Sequence, residues 1–304
     1  MTRRLLSLTA AFFVTTLAPW CARPPVAHAV WPASEGADLR DPANQPNDPG
    51  YGSQWNLWSY IPTENLARVN DYERAIGSGN HADRAWQRTT GDRRVIIAVL
   101  DSGAIWGEPD LVNKYYLNRG ELPIPAAACG TSPNADPYDT NGDGHFNVQD
   151  FTSATGHDQP AAVTICDPSV SDANQNGILD PQDLILLFSD TVDGDLNGYI
   201  DDISGWDTFH NDNDANDDTR FGHGRGEALD SAGETDNGRG EAGVCPACTL
   251  LMVRTADSFV GESNEIAAGT FFAVDSGASV IQSAQGAINN SRAVRDAFTY
   301  AWAQ

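Results

Sequence analysis

Basic side chains are scarce in this sequence: 18 Lys and Arg stand against 42 Asp and Glu, for a formal net charge of −24. A surface of that sign repels phosphate backbones, so nucleic acid is excluded as a partner. Beyond residue 20 no segment is apolar enough to cross a bilayer. Cysteine is limited to 5 positions, and no second C-x-x-C or H-x-x-x-H accompanies Cys245 and Cys248, which argues against a structural zinc site there. What is present is a hydrophobic content of 40%, enough for a packed core in one large domain or two ordinary ones.

The amino terminus has the pattern of an export signal. Arg3 and Arg4 precede an apolar run over residues 5–20, and Ala27-His28-Ala29 supplies a small-x-small cleavage site. The expected division is a signal peptide over 1–29 and a secreted mature chain over 30–304, with no membrane contact after cleavage. Cleavage removes three arginines and no acid, which takes the charge from −24 to −27. Cys21 leaves with the signal. The four remaining cysteines are expected to form two disulfides, Cys129 with Cys166 around an acidic loop and Cys245 with Cys248.

Patterning places the elements of an α/β domain. Residues 95–100 are a continuous run of β-branched and aliphatic residues, read as a strand buried on both faces and ended by Asp101-Ser102-Gly103. A carboxylate at the carboxyl end of such a strand is a site candidate in its own right. Further strands are expected at 250–254 and 279–281, and helices at 81–88, 262–276 and 291–304, the last capped by Ser291. Strands alternating with helices predict a parallel sheet with helices on its faces.

Aspartate dominates residues 136–218. Asp139-Thr-Asn141-Gly-Asp143-Gly144-His145-Phe-Asn147-Val-Gln-Asp150 fits a 12-residue calcium loop, with oxygen ligands at positions 1, 3, 5 and 12, a main-chain ligand at 7 and glycine at 6. The pattern repeats from Asp172 through Asn174, Asn176, Gly177 and Ile178 to Asp183. A third start, Asp193, Asp195, Asn197 and Gly198, leaves the frame after Asp201. Hard oxygen donors suit Ca²⁺ rather than a transition metal.

Phe221-Gly222-His223-Gly224 sets a histidine between glycines. With Asp101 it forms the base and orienting carboxylate of a system that activates a hydroxyl. The sequence resembles the subtilisin-like serine peptidases in this Asp-before-His order. It is similar also at Gln54-Trp55-Asn56-Leu57, Pro109-Asp110-Leu111, the segment from Asn197 to Asp207, and Gly243-Val244-Cys245-Pro246. The resemblance implies a subtilisin-like α/β fold, Asp101 and His223 as catalytic residues, and Ser283, Ala284, Gln285 and Gly286 as a cleft strand that binds a protein or peptide substrate. It makes residues 129–218 a calcium-loop insertion within a 30–304 peptidase domain. Two departures stand out: Glu108 replaces the family's histidine before Pro-Asp-Leu, and Arg225-Gly226 replaces Thr-His after the catalytic His-Gly.

Nothing in the sequence matches the family's Gly-Thr-Ser-x-Ala-x-Pro or its oxyanion Ala-Gly-Asn. The resemblance implies that both lie beyond Gln304. The sheet is then expected to be incomplete at its C-terminus, and the chain to be inactive without a missing catalytic segment. A secreted calcium-binding or adhesion module, or a pseudoprotease, is the competing function class, and it rests on the loops alone.

Overall fold

The run at 95–100 forms strand β1 (Ile96–Asp101), and the one at 250–254 forms β3 (Thr249–Arg254). They pair in parallel from Ile96 opposite Thr249 to Asp101 opposite Arg254. Strand β4 (Val280–Gln282) lies on the far side of β1, and a two-residue strand, β2 (Trp206–Asp207), on the far side of β3, so the sheet order is β2-β3-β1-β4, all parallel. The computed structural model describes residues 31–130, 135–153, 164–287 and 289–304. The expected signal peptide at 1–29 lies outside the described residues. No helix among the described residues is long and apolar enough to cross a membrane.

Alternation along the strands explains why both faces are apolar. Ile97, Val99, Leu250 and Met252 point to one face and pack on Ala228, Leu229 and Ala232 of helix α4 (His223–Ala232). The same core takes in Phe146, Phe151, Leu179 and Leu184 of the acidic segment, so that segment is folded into the domain rather than appended to it. Ala98, Leu100, Leu251 and Val253 point to the other face, against Trp206 and against Phe272 and Ala273 of α5 (Ser263–Asp275). Helix α6 (Arg292–Ala303) packs on α5, and its Ser291 cap accepts from the Val294 N–H at 3.2 Å, as the sequence predicts.

Differences from expectation are local. The helix expected at 81–88 is only α2 (Ala82–Trp86), preceded by a short α1 (Asp71–Ile76). Both stand at the rim with the amino-terminal lead-in, where Tyr51, Leu57, Ala82, Trp86 and Ala242 form a small core of their own. Gln54 fastens that lead-in to the domain, bonding both the carbonyl and the N–H of Ala242. Strand β2 is too short to leave a periodic signal. Both expected cysteine pairs stand at disulfide distance, Cys129 with Cys166 and Cys245 with Cys248.

Phe272 is fully buried between β-strand side chains and the edge-on ring of Tyr199 at 4.7 Å. Phe272→Ala is expected to destabilise the chain by about 3–5 kcal/mol, read as a lower midpoint in a denaturant titration.

Candidate active site

Asp101 closes β1 and is completely buried. Its Oδ1 accepts the Ser102 N–H at 2.7 Å, and its two oxygens lie 2.8 and 2.9 Å from His223 Nδ1. His223 is the first residue of α4, so the fold brings together two groups 122 positions apart in sequence. The turn before it is fixed by Asp217, whose carboxylate accepts from the N–H groups of Phe221 and Gly222 at 3.0 and 2.6 Å. Gly224 is required by close approach: a Cβ there would stand 2.5 Å from the Gly103 carbonyl oxygen. Gly103 itself has φ +106°, a conformation that favours glycine. The Gly224 N–H is bonded to Ser102 Oγ at 3.0 Å, which ties α4 to the end of β1.

The His223 side chain is 30% exposed and clusters with Phe221 and Phe259, whose ring centres are 6.2 and 6.0 Å from its own and 6.0 Å from each other. Its Nε2 faces Glu227 Oε1 at 3.7 Å. The two departures from the family pattern meet each other, because Arg225 Nε bonds Glu108 Oε2 and joins α4 to the loop after β1. This pairing was not legible in the sequence, where the two positions read as separate anomalies.

Residues 283–286 follow β4 at the carboxyl end of the sheet, the same end as Asp101. Gly286 N–H donates to the Phe259 carbonyl at 2.8 Å and its carbonyl accepts from Gly261 at 3.0 Å. Gln285 bonds Thr255 Oγ1 and donates to the Ser258 carbonyl at 3.3 Å. Ser283 and Ala284 are drawn into the same stretch, and both are exposed.

The acidic loops share one bonding pattern. In the first, Asp139 accepts from the Asp143 and Gly144 N–H groups at 3.1 and 2.9 Å, and Asp143 from His145 N–H at 2.8 Å. In the second, Asp172 accepts from Asn176 and Gly177, both at 3.0 Å, and Asn176 from Ile178 at 2.9 Å. In the third, Asp193 accepts from Asn197 and Gly198 at 3.1 and 2.8 Å, and Asn197 from Tyr199 at 2.7 Å. The glycines at position 6 have φ of +83, +92 and +96°. Asn141, Asn174 and Asp195 each accept from the residue two further on.

Loop closure separates them. Asp150 and Asp183 accept the N–H of the second loop residue, Thr140 and Ala173, both at 2.7 Å. The third loop has no such residue of its own. Glu121, far upstream, takes the place and accepts from Gly194 and Asp195 at 2.8 and 3.2 Å. Glu121, Asp195 and Asp202 bring carboxylate oxygens within 4.8 Å of one another. Sequence reasoning missed Glu121 and Asp202, since no local spacing connects them. The His145 imidazole bonds Thr249 Oγ1 at 3.3 Å and Ile178 has no polar side-chain atom, so both offer a cation only their carbonyls.

Asp207, His210 and Asp212 form another close group, but Arg254 already bonds Asp207 at 3.0 Å and Asp218 at 2.6 Å. A guanidinium there leaves little call for a metal ion. Asp214 spends both oxygens on Trp106 Nε1 at 2.8 Å and on Gln182 Nε2 at 2.7 Å, the latter from α3 (Pro181–Phe188).

The protein is thus an α/β domain with a buried aspartate bonded to a histidine at the carboxyl edge of its parallel sheet. The Subtilase family model matches residues 92–303, and the chain belongs to that family. Thermitase from Thermoactinomyces vulgaris is 36% identical over 109 residues, 36% of this chain and 38% of that protein. A thermophilic serine proteinase from Bacillus sp. (strain AK1) is 37% identical over 109 residues, 36% of this chain and 26% of that protein. These matches thus span between a quarter and two fifths of each relative's length. A solved protease from Pseudoalteromonas arctica PAMC 21717 aligns with 85% of this chain and 56% of its own, at 21% identity and a TM-score of 0.35.

Burial raises Asp150 and Asp202 to about 7 from an ordinary 3.8. The folded state therefore binds more protons than the unfolded one between about pH 4 and 7, so in chelator stability should fall as pH rises through that window. Thermal melts at stepped pH check the sign.

Proposed function

We propose that the chain carries the acid–base pair of a secreted subtilisin-type serine endopeptidase. The observation that carries this reading is the His223 Nδ1 contact to a buried Asp101 at 2.8 Å. The carboxylate fixes the imidazole tautomer, leaving Nε2 to take the proton of a serine hydroxyl as that oxygen attacks the peptide carbonyl. His223 then returns the proton to the leaving amine, and Asp101 stabilises the imidazolium between the two steps. An extended substrate adds along 283–286, where Gly286 is already bonded to the neighbouring segment.

Among the described residues β4 stands at an edge of the sheet, and beside it α6 exposes Phe298 and Trp302 next to Val274, Ala278 and Ile281. Export through the 1–29 signal accords with the two cysteine pairs.

Calcium fills the acidic insertion at 129–218. All three loops offer oxygen donors on a shared main-chain frame, and Asp150 and Asp202, whose pKa burial raises to about 7, would exchange their protons for a hard cation. Asp139, Asn141, Asp143 and Asp150 would hold one ion, Asp172, Asn174, Asn176 and Asp183 a second, and Asp193, Asp195, Asn197, Glu121 and Asp202 a third. The ion supplies rigidity, through α3 and Gln182, to the Asp214 segment that leads into His223.

Two measurements test these claims. Where the protein turns over a peptide substrate, Asp101→Asn or His223→Ala should lower kcat by on the order of 10⁴-fold; undiminished turnover in either variant rejects the assignment. Calcium at one hundred times its Kd should stabilise the chain by about 2.7 kcal/mol, and an unchanged Tm on chelation removes calcium from the account.

A further inference from the structure

The Nε2 edge of His223 has a neighbour that an Asp–His pair does not require. Glu227 lies one turn along α4 with Oε1 3.7 Å from Nε2, while Asp101 holds Nδ1 at 2.8 Å from β1. The imidazole thus stands between two carboxylates. Glu227 is itself held, since Gln282 at the end of β4 donates from Nε2 to its other oxygen. Its side chain is 25% exposed. Burial raises its pKa, with Asp101 and Asp230 adding to the rise while His223 and Gln282 oppose it. The charged groups around the ring are therefore Asp101 from β1, with Glu227 and Asp230 from α4; β4 contributes the neutral Gln282. Arg225, the nearest cation along α4, is turned to Glu108.

We propose that Glu227 is a positioning residue for His223, which steadies the Nε2 edge and holds the imidazolium once a hydroxyl proton has arrived there. The inference rests on the reading of His223 as general base. A gap of 3.7 Å is an ion-pair distance rather than a tight hydrogen bond, so Nε2 stays open to an incoming hydroxyl. The proton passes from that oxygen to Nε2, now facing Glu227, as the oxygen bonds the peptide carbonyl carbon and the carbonyl oxygen takes up the negative charge; it leaves later with the amine when that oxyanion collapses and the carbon–nitrogen bond breaks. A carboxylate beside the ring favours its protonated form by charge attraction.

The test is an NMR titration of the His223 imidazole in the whole 304-residue chain, which needs no catalysis. Glu227→Gln, close in shape and able to keep a bond to Gln282, should lower the His223 midpoint by about half a pH unit or more. Glu227→Val should shift it in the same direction and serves if the first variant folds poorly. Tm values near wild type separate a loss of charge from a loss of fold. A midpoint unmoved in a folded variant overturns the proposal and leaves the Asp101–His223 pair untouched. A shifted midpoint together with a peptidase test that fails would reject the proposed activity and keep the positioning role.

Discussion

The hydrogen bond from His223 to Asp101 is the contact around which the domain is arranged. It can form only if the last residue of β1 and the first of α4 meet, and each neighbouring element serves that meeting. The parallel register sets Asp101 beside Arg254. Gly103 and Gly224 let two backbones approach without a Cβ between them. Asp217 closes the turn ahead of the helix, and Arg225 with Glu108 clamps the helix to the loop after β1. Burial of Asp101 makes the contact consequential, because a carboxylate out of water is costly unless it is bonded.

Sequence patterns were most informative where one property repeats along a continuous stretch. The aliphatic run of β1, the spacing in α5 and the Ser291 cap of α6 each state their structure locally. The loop at 139–150 does so as well, since a fixed spacing of Asp, Asn and Gly encodes a fixed set of main-chain bonds. Strand β2 was invisible because two residues carry no period. Glu121 was invisible for a different reason: it completes the third loop from 72 positions before Asp193, and nothing near either residue signals the other. Glu227 belongs to the same class, since its meaning depends on which face of α4 the sheet leaves toward β4.

The two substitutions at Glu108 and Arg225 illustrate how departures from a family pattern can be correlated in space. Read singly, Glu108 stands where the resemblance leads one to expect a histidine, and Arg225 where it leads one to expect a threonine. Together they form one ion pair, partly buried, across the same junction. Such a pair contributes more to the geometry of the junction than to net stability, because desolvation offsets much of its attraction.

Asp214 gives the acidic insertion an architectural meaning. One oxygen takes the indole N–H of Trp106, in the loop after β1, and the other takes the amide of Gln182 in α3 of the acidic segment. A carboxylate that accepts from both donors is held from two sides at once. A movement of α3 is therefore felt at the Trp106 ring without passing through the sheet, and α3 and the loop after β1 share one mechanical anchor.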